Sequence, residues 1–127
     1  MGLGPVHALS GGMSFPVEVR FRDMASSPAL DQFVRRWAAK LGRVHERIAR
    51  CDVVIERPHQ HQRHGQHVHV RVSLGVPGPD IVVTYDQPLD GAHEDAYVAV
   101  RDAFRAARRQ LEQHARHVRG AEQELPW

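Results

Sequence analysis

The sequence has one cysteine, one lysine and no long run of apolar residues. A lone cysteine excludes an internal disulfide, and the apolar segment CDVVIE around Cys51 indicates a buried thiol rather than a nucleophile. The roughly 18 uninterrupted apolar residues of a membrane-spanning helix are absent, and the first residues carry neither a basic leader nor a long apolar stretch. We therefore expect a soluble, cytoplasmic protein without a membrane partner.

Motifs of common enzyme classes are also missing. There is no GxxxxGK[ST] phosphate loop, no GxSxG nucleophile elbow and no HExxH metal motif. Ser73 lies near several histidines, but a serine nucleophile needs a base oriented by a carboxylate, and this segment offers none. We expect no enzymatic activity, no cofactor and no small-molecule substrate.

Arginine dominates the cationic residues. Lysine and arginine together number 17 against 15 acidic residues, with a net charge of +2, and all but Lys40 are arginine. The planar guanidinium suits phosphate better than an ammonium does, so this bias favours a nucleic-acid partner. A GC-rich coding sequence would produce the same bias without any such partner.

Hydrophobic periodicity predicts the order β-α-β-β-β-α. Alternating or β-branched apolar segments predict four strands, at 15–22, 51–57, 66–74 and 80–85. Helical spacing predicts two helices, from about 27 to 48 and from about 92 to 120. Ser26-Ser27-Pro28 supplies a cap and first turn for the first helix, and Gly120 a stop for the second. The polar segments 58–66 and 86–91 are predicted to be loops.

These elements predict an α+β fold, a two-layer sandwich in which both helices cover one face of a four-stranded sheet. The first helix is long enough to cross over between two strands, while residues 51–85 follow as a meander. The other face of the sheet should then be exposed to solvent. We expect one domain over 15–120, preceded by a disordered leader or tag remnant over 1–14 and followed by a short tail over 121–127.

Each predicted helix carries a basic stripe beside its apolar one. The stripes consist of Arg36, Lys40, Arg43 and Arg47 on the first helix and Arg101, Arg105, Arg108 and Arg109 on the second. If the helices lie side by side, the stripes merge into one phosphate-binding ridge. The alternative is a pair of solvated faces, stabilised by i,i+4 ion pairs and by cations near the helix C-terminus.

A histidine cluster lies in and just after the predicted loop at 58–66. It comprises His59, His61, His64, His67 and His69. Imidazoles at strand spacing can converge on a metal ion, so a His-rich metal-binding or metal-sensing protein is the alternative function. No cysteine or carboxylate accompanies them between 59 and 69, so we predict no metal. The histidines, with Arg57, Arg63 and Arg71, could instead contact phosphate and gain charge at lower pH, or form an inert exposed loop.

The last predicted helix, DAYVAVRDAFRAARRQLEQHARHVRG, resembles that of bacterial ribosome hibernation-promoting factors, also called ribosome-associated inhibitors or sigma-54 modulation proteins. The family pattern D-x-Y-x-A-[IV] followed by R-Q-L is matched by Asp95, Tyr97, Ala99, Val100, Arg109, Gln110 and Leu111. In the first helix AAKLGRVHERI resembles K-L-x-[KR]-[FY]-[FY]-x-R-I through Lys40, Leu41, Arg43, Arg47 and Ile48. The resemblance covers residues 15 to 119, as a short form with a His-rich hairpin.

The resemblance implies the fold predicted above and a function. Family members bind 16S rRNA in the tRNA and mRNA channel of the small ribosomal subunit and keep ribosomes idle under stress, by occlusion rather than catalysis. Carried over by position, the rRNA-binding residues would be Lys40, Arg43, Arg47 and Arg109 and, more loosely, Arg101, Arg108 and Arg116. The chain departs from the family in a longer link before the last helix, TYDQPLDGAHED, and in Arg101, where an acid is common.

Overall fold

A computed structural model describes residues 15–57, 66–89 and 94–123 of the chain. The elements in chain order are β1 (Val17–Arg22), α1 (Pro28–Val44), β2 (Arg50–Glu56), β3 (Gln66–Gly75), β4 (Ile81–Leu89) and α2 (Glu94–Gln123). This is the predicted order, and the α+β fold is confirmed. The predicted leader over 1–14 lies outside the described residues, as does the predicted loop from residue 58 to residue 65.

The strands form one mixed sheet in the order β1-β2-β3-β4. β1 pairs in parallel with β2, with Val19 opposite Val53, because α1 returns the chain to the same end of the sheet between them. β2 with β3 and β3 with β4 pair antiparallel, as consecutive strands of a meander do. The crossover predicted for the first helix is therefore present.

The core lies between the sheet and the two helices. Along β3 the residues Val68, Val70, Val72 and Leu74 are fully buried, whereas Arg71 between them is exposed. This alternation follows from the pleat of the strand, which points successive side chains to opposite faces. Helix residues that complete the core include Val34, Ala38, Leu41, Val100, Phe104 and Ala107. The opposite face of the sheet carries mainly polar side chains, as predicted.

Gly42 allows α1 to approach the start of the first strand closely. A Cβ atom at this position would lie 2.8 Å from Cε2 of Phe15, closer than real Cβ contacts come. Phe15 is only 5% exposed and belongs to the core. A glycine in the helix therefore makes room for a buried ring, which offsets its weak helix propensity.

Both helices end at positions that differ from the predictions. α1 starts where predicted, since the Ser27 side chain accepts a hydrogen bond from the Leu30 amide at 3.1 Å, but it ends at Val44 rather than near 48. His45 has an extended backbone there, and its N–H donates to the Leu41 carbonyl. α2 continues through Gly120 to Gln123, so the predicted stop is wrong. A helical glycine costs only about 1 kcal/mol, and it stops a helix only where the chain turns away.

The last strand is longer than predicted. β4 runs to Leu89, so residues 86 to 89 of the predicted loop are part of the sheet. Pro88 is paired opposite His67 in this extension. β4 is an edge strand, the position in a sheet that tolerates a proline without losing a ladder hydrogen bond on both sides. The extension brings Asp86 onto the sheet, which matters for the histidines described below.

Candidate nucleic-acid interface

Aromatic rings join α1 to α2 side by side. The rings of Phe33 and Tyr97 meet edge to face with their centroids 5.0 Å apart. One turn further along, Trp37 stacks on Phe104 with a centroid distance of 6.1 Å and an interplanar angle of 19°. The two helices are thus neighbours on the sheet, which is the arrangement that the merging of their basic stripes requires.

A groove of about 310 Å³ runs between the helices beyond this stack. Its apolar residues are Trp37, Leu41, Val44 and Phe104, and its cationic residues are Lys40, Arg43 and Arg108. We call this feature the interhelical groove. Val44 is 55% exposed, and Val82 at 44% is the other exposed large apolar residue in the described part of the chain. The groove therefore has an apolar floor and a cationic rim contributed by both helices.

The cations of the rim are only partly neutralised. The Lys40 ammonium lies 4.8 Å from the centroid of the Trp37 ring, and the Arg108 guanidinium pairs with Glu112 at 3.1 Å on the next turn of α2. Arg43 is exposed and has no acidic partner within the described ranges. An exposed cation without a carboxylate partner is available for phosphate, so the groove has the electrostatic character of an anion-binding surface.

The other predicted cations of α2 extend the charged surface along the helix. At about 100° per residue, the arginines at 101, 105, 108, 109 and 116 fall within about 100° of arc. Arg105, Arg109 and Arg116 are exposed, and no acidic residue in the described part of the chain pairs with them. Arg101 is held differently, because its Nε donates to Asp102 at 3.0 Å. Like Arg108, it already has a carboxylate partner with which a phosphate would have to compete.

Three arginines in or just after α1 do not lie on the groove, and one of them, Arg47, belongs to the predicted stripe. Arg47 sits in the turn after α1, because the helix ends earlier than predicted. Arg35 pairs with Asp31 and also donates to the Val17 carbonyl on β1. Arg50 begins β2 and bridges Asp52 and Asp80. The basic stripe of α1 is shorter than the sequence suggested.

His45 lies where α1 ends, close to charges of α2. Partial burial lowers the pKa of its imidazole, the Glu112 carboxylate opposes that shift, and the Arg108 guanidinium adds to it. Burial is the largest of the three effects, so the charged imidazole is disfavoured. His45 is therefore less often protonated beside the groove than an unburied histidine at the same pH.

The two described members of the histidine cluster lie on the other side of the molecule. His67 and His69 project from the solvent face of β3, and each Nδ1 atom is 3.3 Å from Oδ1 of Asp86. Asp86 is directly opposite His69 in the sheet register. Sequence reasoning missed this carboxylate because it lies 17 residues further along the chain, in a segment predicted to be a loop. His59, His61 and His64 lie outside the described residues.

The metal alternative gains no support from the described part of this cluster. Within residues 15–57, 66–89 and 94–123, no three His, Cys, Asp or Glu side chains are arranged so that they could hold a metal ion. A second cleft of about 310 Å³ borders the cluster and is lined by Arg22, Val54, Glu56, His69, Arg71 and Thr84. In the sheet register, Arg22 lies opposite Glu56, Glu56 opposite His69, and His69 opposite Asp86. Basic and acidic side chains therefore alternate across this cleft. This mixed charge contrasts with the cationic rim of the interhelical groove.

Cys51 is fully buried, as predicted. Burial raises the pKa of its thiol to about 12, and the Asp52 carboxylate adds to that shift. A thiol that is protonated and shielded from solvent is a poor nucleophile.

In the described part of the chain, neither helix is both long enough and apolar enough to span a membrane.

Comparisons with known proteins identify the same fold and its family. A ribosomal subunit interface protein from Coxiella burnetii matches with a TM-score of 0.61 and 15% identity, over 80% of this chain and 98% of that one. The N-terminal domain of Protein Y from Thermus thermophilus matches with a TM-score of 0.59 and 18% identity, over 76% and 94%. No curated protein sequence matches. The family model described as sigma 54 modulation protein / S30EA ribosomal protein matches residues 17–119, and the chain belongs to this family of ribosome-associated proteins.

Proposed function

We propose that this protein binds 16S rRNA of the small ribosomal subunit through its two helices and keeps the ribosome idle under stress. The observation that carries this proposal is the convergence of Lys40, Arg43 and Arg108 on one groove between α1 and α2. Membership of a ribosome-associated family supplies the partner and makes the cytoplasm the expected compartment. The two solved relatives named above are a ribosomal subunit interface protein and a Protein Y domain.

The distribution of charge supports the helices as the RNA-binding surface. Seventeen cationic and fifteen acidic residues give a small net charge, so a strongly basic surface requires that the basic residues lie apart from the acidic ones. On the helices, Arg43, Arg105 and Arg109 are exposed without an acidic partner among the described residues. On the solvent face of the sheet, Arg20 pairs with Glu18 at 3.3 Å and Asp86 stands between two histidines. A polyanion is therefore attracted to the helical side.

The proposed mechanism is occlusion rather than catalysis. The 30 residues of α2 make a rod about 45 Å long, since a helix rises about 1.5 Å per residue. A rigid domain held by phosphate contacts in the channel for tRNA and mRNA would exclude both ligands without chemical change. No activated nucleophile is needed, and the buried Cys51 thiol would not supply one. Family membership is likewise consistent with a binding protein rather than an enzyme.

Cosedimentation with purified small subunits and intact ribosomes tests the proposal. The protein should pellet with both particles at low salt and be released as salt rises. The logarithm of the binding constant should fall linearly with the logarithm of the salt concentration, because phosphate contacts release counterions. Competition with tRNA and mRNA should displace it. A protein that does not pellet with either particle at low salt, or that binds together with tRNA and mRNA, would contradict the proposal.

A further inference from the structure

We infer that the interhelical groove receives an unstacked RNA base, whose own phosphate lies on the cationic rim. This inference rests on the proposed function and deepens it, because it assigns a base-binding role to side chains that phosphate binding alone does not require. The site consists of Trp37, Val44 and Phe104 in the floor and Lys40, Arg43 and Arg108 in the rim.

The floor of the groove is suited to a flat apolar group. Trp37 is partly exposed, although its ring is large and stacks on buried Phe104. Val44 leaves 55% of its surface exposed at the last residue of α1. Neither residue needs this exposure to hold the helices together, since the Phe33–Tyr97 contact and the buried helix residues already do so. A base placed here would cover apolar surface that is otherwise in contact with water.

The positive charge of the rim favours a flat group that also carries an anion. A nucleotide is apolar on the faces of its base and anionic at its phosphate, so it matches both parts of the groove at once. An apolar protein segment would fill the floor but leave Arg43 without a counter-charge, since no acidic residue in the described ranges reaches it. Charge complementarity therefore favours a nucleotide of single-stranded RNA as the occupant.

Lys40 connects the two parts of the groove. Its ammonium lies 4.8 Å from the centroid of the Trp37 ring and is exposed to solvent. An exposed cation–π contact is weak, so an arriving base can replace the ammonium over the ring at little cost. The displaced ammonium is then within reach of the phosphate of the same nucleotide. Base stacking and phosphate binding would thus be coupled through one side chain.

Trp37 fluorescence gives a direct test. The chain has two tryptophans, so the full chain with Trp127→Phe reports on Trp37 alone. The probes are short single-stranded oligouridylate and oligoadenylate, together with an abasic ribose-phosphate oligomer of the same length and charge. We expect the base-containing probes to quench Trp37 and to bind at least about fivefold more tightly than the abasic one, as stacking of one base requires.

Two exposed valines provide a matched pair of variants. Val44→Ser alters the groove, and Val82→Ser alters a comparably exposed valine, 44% exposed, on the solvent face of the sheet. In the same Trp127→Phe chain, Val44→Ser should weaken the base-containing probes about fivefold, leave the abasic probe unchanged and keep the melting temperature of the parent. Val82→Ser should change none of these.

The outcomes separate this inference from the proposed function. Equal binding of abasic and base-containing probes, or equal behaviour of the two valine variants, would overturn the inference and leave a phosphate-only surface. Quenching by duplex RNA as strong as by single strands would also overturn it, because paired bases are not available to the groove. Cosedimentation of the parent with small subunits, measured in parallel, tests the proposed function by itself.

Discussion

The Lys40 ammonium lies over the ring of Trp37, 4.8 Å from its centroid and three residues along the same helix. Residues at this spacing share one face of a helix, so the long side chain of Lys40 is directed across the groove rather than away from it. Trp37 in turn stacks on Phe104 of α2. The position of one rim cation is therefore coupled to the packing between the two helices.

Replacing Lys40 with methionine should separate these two roles. The variant keeps an apolar side chain beside Trp37 but loses the charge, and an exposed cation–π contact is worth about 0.5–1 kcal/mol. We expect the free energy of unfolding to fall by no more than about 1 kcal/mol, measured by urea denaturation, while ribosome affinity falls clearly. A stability loss above about 2 kcal/mol with unchanged affinity would make Lys40 a structural residue.

Arg43 should contribute to the salt dependence of binding. It is exposed on the rim, and no carboxylate of the described residues neutralises it, so a bound phosphate would be its first anionic partner. Arg43→Gln should lower the slope of the logarithm of the binding constant against the logarithm of salt by about one. Arg20→Gln, on the solvent face of the sheet and paired with Glu18, serves as the control and should leave the slope unchanged. Equal slopes for Arg43→Gln and the parent protein would remove Arg43 from the interface.

His45 should make the protein sensitive to mild acid. Burial lowers the pKa of its imidazole in the folded state, so the unfolded chain takes up the proton first, near a pKa of about 6.5. Stability is therefore complete above that pH and falls as the pH drops through it. The free energy of unfolding, measured by urea denaturation, should fall less between about pH 7.5 and pH 5.5 for the His45→Gln variant than for the parent protein. Identical losses in the two proteins would contradict this assignment.

Cys51 should be chemically inert in the native protein. It is fully buried and its pKa is raised to about 12, so almost no thiolate exists near pH 8 and none of it is accessible. Iodoacetamide should label the thiol in urea, while labelling without denaturant should be limited by the opening of the fold. Mass spectrometry measures both rates. Labelling of the native protein as fast as that of a free cysteine would show that β2 is not packed as described.

The interior of each element could be predicted from the sequence, whereas its ends could not. The alternation along β3 identified its buried valines, because strand burial follows a period of two. Residues Val44 and Ile48 continue the helical spacing of α1, yet Ile48 is buried in a connection after the helix has ended. The ends of a helix or strand depend on contacts made by the folded chain, and a local sequence pattern does not contain those contacts.

The rim of the candidate site could also be predicted, but its floor could not. Lys40, Arg43 and Arg108 stood out as cations at helical spacing, and the structure brings them to one groove. Trp37 and Phe104 belong to the apolar faces of their helices, so the sequence indicated only core packing for them. Trp37 is partly exposed because of the distance between α1 and α2 at the groove. That distance is set by the tertiary structure and cannot be read from the sequence of either helix.

A charge-matched pair of triple variants tests the central claim most directly. One variant replaces Lys40, Arg43 and Arg108 on the groove with glutamine, and the other replaces Arg20, Arg22 and Arg71 on the solvent face of the sheet. Both lose the same formal charge, and circular dichroism and melting temperature establish that both fold. At near-physiological salt, cosedimentation with purified small subunits should weaken about tenfold or more for the groove variant and change little for the sheet variant. Equal loss in both variants, or a loss confined to the sheet variant, would contradict the claim that the helices bind the ribosome.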